Sequence, residues 1–170
     1  MQATHHTTPF QKKQFPIVLV LDAITSPANI GSFFRLGDAF GIEKMLICES
    51  SADLQSNRLK RTARATIKNV TFEERENSEA ACRELKAAGY KIVAIEVASE
   101  SIPIEKCHFR AEDKIALVLG NERLGIKKEL LELADNLLHI NMFGENSSMN
   151  VTHAAAIALF EITKRLQPVP

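Results

Sequence analysis

The chain has 170 residues, 45% hydrophobic and 25% charged, a globular balance with room for one domain and a sizeable core. Lys plus Arg and Asp plus Glu both number 21, so the formal net charge is zero. That excludes a globally basic nucleic-acid binder and leaves only a local patch for such a role. No apolar run has the length of a membrane span, and the first residues, MQATHHTTPFQKKQF, lack the apolar segment of a secretory signal.

In chain order, Pro16 to Leu21 (PIVLVL) predicts a strand covered on both faces. Asn29 to Phe40 predicts a helix, with Gly41 as its stop. Lys44 to Cys48 predicts a second strand. Helical material follows from about Leu54 to Ala65, then a short apolar stretch near Ile67 to Phe72. Ser78 to Ala88 predicts a helix closed by Gly89, and Lys91 to Val97 and Lys114 to Leu119 predict strands. Ile126 to Leu133 predicts a short helix, Leu137 to Ile140 a short strand, and Met149 to Leu166 an Ala-rich final helix. The order is read as β-α-β-α-α-β-α-β-α-β-α. This alternation gives an α/β fold, a mainly parallel sheet with helices on both faces. Residues 1–14 are expected to be a loose tail and 15–170 a single domain.

Cys48, Cys82 and Cys107 are odd in number, widely spaced and without a CxxC pair. Free thiols in a reducing cytoplasm are the simplest reading. The five histidines contain no H-x-x-x-H pair, so no metal site is expected; His139, inside a strand, reads as a core or edge residue. Neither a G-x-G-x-x-G nor a P-loop nor a G-x-S-x-G elbow is present. A basic cluster, Arg58, Lys60, Arg61, Arg64 and Lys68, falls within eleven residues. On one helix, Arg61, Arg64 and Lys68 would share a face. It is either a solvated surface or a phosphate-contacting patch.

In open α/β sheets, ligands bind past the carboxyl ends of the strands. Three segments there are rich in glycine and polar residues: Asp22 to Arg35, Gly120 to Gly125 and Asn141 to Asn150. Asn29-Ile30-Gly31-Ser32-Phe33-Phe34-Arg35 resembles the N-x-G-x-x-x-R motif of the SpoU (TrmH-type) RNA 2′-O-methyltransferases, part of the SPOUT superfamily. Leu119-Gly120-Asn121-Glu122-Arg123-Leu124-Gly125 resembles the family's L-G-x-E-x-x-G. Ile140 to Val151 resembles I-P-M-x-G-x-x-x-S-L-N-V, with Asn141 in place of the proline, Met149 in place of the leucine, and Thr152-His153 where small residues are common.

The resemblance implies a C-terminal trefoil knot, a homodimer, and methyl transfer from S-adenosylmethionine to a ribose 2′-OH of RNA. It implies catalytic roles for Arg35, Asn29, Glu122, Ser148 and Asn150, with Arg35 acting near the cofactor of the other subunit. Arg35 would hold RNA and stabilise a developing alkoxide, or serve as base with a lowered pKa; an arginine is normally a fixed cation, which favours the first role. The cofactor would lie among Ile95, Glu96, Leu119, Gly120, Ile140, Met142, Ser148 and Met149. Plainer readings stand beside these: Asn29 as a helix cap, Glu122 as an acid at a helix start, Ser148 and Asn150 as caps. RNA contacts are expected from Arg35, Arg58, Arg61, Arg64 and Lys68, with folded tRNA favoured over rRNA. A non-catalytic RNA-binding module of the same fold is the alternative; an unrelated α/β enzyme using a small nucleotide without a P-loop is a third reading.

Overall fold

The structure, a computed structural model, describes residues 12–167. Most of the expected N-terminal tail therefore lies outside the described residues, as do the last three residues. Seven strands form one sheet in the order β3-β2-β1-β6-β4-β7-β5, and every pairing is parallel. The strands are β1 (Phe15–Asp22), β2 (Ile42–Cys48), β3 (Phe72–Arg75), β4 (Tyr90–Ile95), β5 (Ile102–Pro103), β6 (Lys114–Leu119) and β7 (Asn136–His139). The helices are α1 (Pro27–Phe40), α2 (Asn57–Ala63), α3 (Ser78–Ala87), α4 (Lys128–Leu133) and α5 (Val151–Leu166).

The PIVLVL run is central because both its faces can be covered. Ile17, Leu19 and Leu21 of β1 pack in one core with residues of α1, α2 and α5. Val18 and Val20 face the other core, with Ala81, Cys82 and Leu85 of α3 and Leu130 of α4. Each such fully buried aliphatic chain contributes on the order of 1.5–3 kcal/mol of transfer free energy. All three cysteines are buried and free. Burial pushes the Cys48 and Cys82 thiols up to about 12, so neither is a ready nucleophile.

Several expected boundaries move. The helix expected over 54–65 is α2, which ends at Ala63 because Arg64 takes a left-handed backbone (φ 55°) and a 3-10 turn, Arg64–Lys68, follows. Arg61, Arg64 and Lys68 therefore do not share one helical face, although all five residues of the basic cluster are exposed. The strand expected over 91–97 stops at Ile95. The segment between it and β6, read as helical in the element order, holds edge strand β5 and a 3-10 turn, Ile104–Lys106.

β3 has no counterpart in the expected elements. It is an edge strand reading Phe-Glu-Glu-Arg, kept by Phe72 packed edge-on against Phe34 (ring centroids 5.2 Å apart) and by ion pairs Lys44–Glu73 (2.7 Å) and Arg75–Glu84 (2.6 Å).

At the other side of the sheet, β7 lies between β4 and β5, so residues 96–101 span its carboxyl end from one neighbour to the other. The chain thereby places a turn of backbone across the end of a strand that is made later.

Candidate functional site

The carboxyl ends of β4, β6 and β7 open onto a cleft of about 580 Å³. Its walls include Ile95, Glu96, Leu119, Gly120, Ile140, Met142, Ser148 and Met149, all the residues expected to surround a cofactor. Glu122 and Asn150 also line it. Asn29 reaches its rim through those two. A side cleft of about 280 Å³ adjoins it and shares Val97, His139, Ile140, Met142 and Ser147 as walls.

The loop 120–127 is tied down at each end and in the middle. Asn121 donates from its side chain to the Ala23 carbonyl (2.6 Å) and accepts from the Arg123 and Leu124 amides (2.9 and 3.1 Å). Glu122 accepts from the Thr25 and Ser26 amides (3.2 and 3.1 Å), the Thr25 hydroxyl (3.3 Å) and the Asn29 side chain (2.9 Å). Burial pushes the Glu122 carboxyl up, but the hydrogen bonds from Asn29 and these backbone amides outweigh it and hold it below the usual carboxylate range.

Farther along, the Ile126 amide donates to Glu96 (3.1 Å) and the Lys127 amide to the buried Asp22 (3.3 Å). The Lys127 ammonium pairs with Glu49, and Ser78 donates its hydroxyl to Asp22 (2.8 Å). Lys127's hydrogen bond is the main reason the Glu49 carboxyl is lowered. Gly120 is required by close approach: a Cβ there would sit 2.4 Å from the Gly125 carbonyl carbon and the Ile126 nitrogen.

The second loop, 140–150, is held at its ends. Asn141, where the family motif carries proline, donates to Glu105 (2.8 Å). Asn150 caps α5, accepting from the Thr152 amide (2.8 Å), and donates to Asn29 (3.3 Å). Between them, positions 142–149 make no hydrogen bond to the rest of the described residues, and Phe143 is 97% exposed. Ser148 is exposed, lines the cleft and caps nothing.

These contacts decide among the plainer readings. Asn150 is a cap and a link to Asn29 at once. Asn29 is not the cap of α1; Ser26 is, accepting from the Asn29 amide (3.4 Å). Glu122 precedes no helix of its own; its carboxylate sits at the start of α1, where amides point outward. Glu122 orients Asn29 but makes no bond to Arg35. Arg35 is exposed on α1, outside the cleft lining, and pairs with no acid among the described residues. Gly31 brings helices together: a Cβ there would meet the Leu59 carbonyl of α2 at 2.8 Å. Sequence reasoning missed Asn121, Lys127 and Glu49 as loop fastenings; they join positions far apart along the chain, and only Asn121, inside the Gly120–Gly125 segment, lay where a signal pointed.

No group of acids, histidines and cysteines suited to a metal ion occurs among the described residues, and no described helix is long and apolar enough to cross a membrane.

Residues 16–160 match the SpoU rRNA Methylase family. A Bacillus subtilis 23S rRNA (guanosine(2553)-2′-O)-methyltransferase, RlmP, is 30% identical over 145 residues, covering 85% of this chain and 57% of that protein. The AdoMet-bound rRNA methyltransferase from Sinorhizobium meliloti superposes with a TM-score of 0.81 at 26% identity, covering 94% of this chain and 60% of that one. A structure concerned with 2′-OH methylation of C/U34 on tRNA superposes with a TM-score of 0.78 at 26% identity, covering 89% of this chain and 98% of that one. The chain thus spans 57% to 59% of the length of the first curated relatives it matches.

Proposed function

The chain belongs to the SpoU rRNA methylase family, and on that footing we propose that it transfers a methyl group from S-adenosylmethionine to a ribose 2′-OH of RNA. The observation that carries the reading is convergence. Segments from three distant parts of the chain wall one cleft and are joined at its rim through Glu122, Asn29 and Asn150.

The cleft suits this cofactor on its own chemistry. Apolar walls from Ile95, Leu119, Ile140 and Met149 and close backbone at Gly120 fit a flat base; the Glu96 and Glu122 carboxylates fit a cationic amphiphile. S-adenosylmethionine supplies an electrophilic methyl on a sulfonium. Its carbon–sulfur bond would break as the carbon–oxygen bond forms, with the hydroxyl proton passing to solvent. The protein's part is to hold the acceptor oxygen in line and stabilise the charge developing on it. Arg35 is the residue for that task, as a fixed cation rather than a base.

Since Arg35 lies off its own chain's cleft, it would serve the cleft of a second copy. The exposed stripe His153, Ile157 and Phe160 on α5, with Phe160 58% exposed, supports a homodimer. The trefoil threading belongs to the same proposal and is supported by β7 lying between β4 and β5 with residues 96–101 across its end. Arg58, Lys60, Arg61, Arg64 and Lys68, exposed and without acid partners among the described residues, would contact RNA phosphates. A folded tRNA is the favoured substrate, because its shape can be read through backbone contacts; the similarity to a structure concerned with 2′-OH methylation of tRNA supports that choice. An RNA-modifying enzyme of this kind would work in the cytoplasm.

The test is transfer of labelled methyl from S-adenosylmethionine to purified tRNA and rRNA, with the product mapped to a ribose. Label in neither RNA, despite cofactor binding, would favour the non-catalytic module.

A further inference from the structure

His139 ends β7 and lines both the main cleft and the side cleft. Its Nδ1 lies 2.9 Å from the Ser101 hydroxyl. That hydroxyl also donates to the Ala98 carbonyl (2.7 Å) and accepts from the Ala98 amide (3.1 Å). A serine hydroxyl has one proton. Two oxygens 2.7 Å apart with no proton between them repel, so the proton is spent on Ala98. The contact with His139 must then be made by a proton on Nδ1. A neutral imidazole carries one ring proton, which leaves Nε2 as a bare acceptor. Among the described residues no donor reaches it. The other walls shared by the two clefts are Val97, Ile140, Met142 and Ser147, the first three apolar, and the side cleft adds Asn141, Glu145 and Asn146.

An acceptor with no protein donor, in the wall of a ligand cleft beside apolar side chains, is a group for reading a ligand's N–H. We infer that Nε2 of His139 accepts a hydrogen bond from the exocyclic amine of a purine bound in this cleft and so selects a 6-amino over a 6-oxo ring. The inference rests on the cofactor reading above. Within that cofactor the amine is the fitting donor, because the ammonium and sulfonium are better matched to the carboxylates of Glu96 and Glu122.

Two substitutions separate recognition from scaffolding. His139→Asn places an amide N–H near Nδ1, keeping the Ser101 contact, and has no atom at Nε2. His139→Gln can reach an acceptor toward the Nε2 position and loses the Ser101 contact. Calorimetric binding of S-adenosylhomocysteine is compared with that of its 6-oxo analogue, S-inosylhomocysteine. The unaltered protein should prefer the adenine compound by about tenfold or more, the effect of one hydrogen bond exchanged for two facing acceptors. The preference should fall to within about threefold in His139→Asn and persist in His139→Gln. Preference kept in His139→Asn and lost in His139→Gln would overturn the inference and leave His139 as a tether for residues 96–101. Failure of the unaltered protein to bind S-adenosylhomocysteine at all would instead bring down the cofactor reading.

Discussion

The two loops that border the cleft are built on opposite plans. The 120–127 loop is fastened by Asn121, Glu122, Ile126 and Lys127 to three separate parts of the chain, residues 22–29, Glu49 and Glu96. The 140–150 loop is fastened at Asn141 and Asn150, and residues 143–148 between them are exposed. A wall ordered before binding spares the ligand the entropy of ordering it. A stretch without internal bonds can adapt to whatever enters. On the proposed function, the pinned loop suits the cofactor alone, and the open loop, which also walls the cofactor at Ile140, Met142 and Met149, suits the mouth through which RNA would approach.

That contrast can be broken from outside and from within. Arg35 belongs to neither loop, so Arg35→Ala should leave both walls intact while methyl transfer falls about 10²–10³-fold. Single-turnover transfer measured beside cofactor affinity checks this. A matching loss of affinity would place Arg35 in the cofactor pocket instead.

The next largest effect should come from a single methyl group. Gly120→Ala sets a Cβ against backbone that cannot withdraw, costing about 1–3 kcal/mol and cofactor binding as well. Thermal unfolding with and without S-adenosylhomocysteine reads both losses.

Acid should loosen the pinned loop first. The Glu122 carboxyl is lowered in the fold, so its contribution is present above the ordinary carboxylate pKa of about 4.3 and is lost as pH falls through the lowered value. The protection of the Thr25 and Ser26 amides against hydrogen exchange, relative to the intrinsic rate at each pH, should fall across that acid window. In Glu122→Gln the same amides should show little further change.

The smallest effect is expected at Gly144→Ala in the open loop, where a Cβ meets nothing within 4 Å. Stability should change by less than about 0.5 kcal/mol. A loss as large as that at Gly120 would erase the distinction between the loops.

Legibility in the sequence depended on where each signal resides. β1 and β6 could be read from their apolar runs because both faces are buried. β3 could not, since an edge strand of Phe-Glu-Glu-Arg is held by ion pairs and one aromatic contact rather than by an apolar pattern. The end of α2 was hidden in the backbone of Arg64, a residue type that rarely adopts φ of 55°. The walls Leu119, Gly120, Ile140, Met142, Ser148 and Met149 fall in two motif resemblances, whereas Ile95 and Glu96 were placed by the end of a predicted strand. The fastenings of the pinned loop were invisible for a different reason: Glu122 meets Asn29 across 93 positions and Lys127 meets Asp22 across 105. No local pattern encodes such a pairing.

The insertion of β7 between β4 and β5 also has a consequence during synthesis on the ribosome. Until residues 136–139 emerge, the outer edge of β4 has no neighbour, and an unpaired edge is a hazard for aggregation. The strand that fills this gap also supplies His139 and leads into the 140–150 loop, so the cleft comes into being only when the sheet is closed. A ligand that binds there stabilises the finished chain and no earlier form of it, coupling cofactor supply to the yield of intact protein.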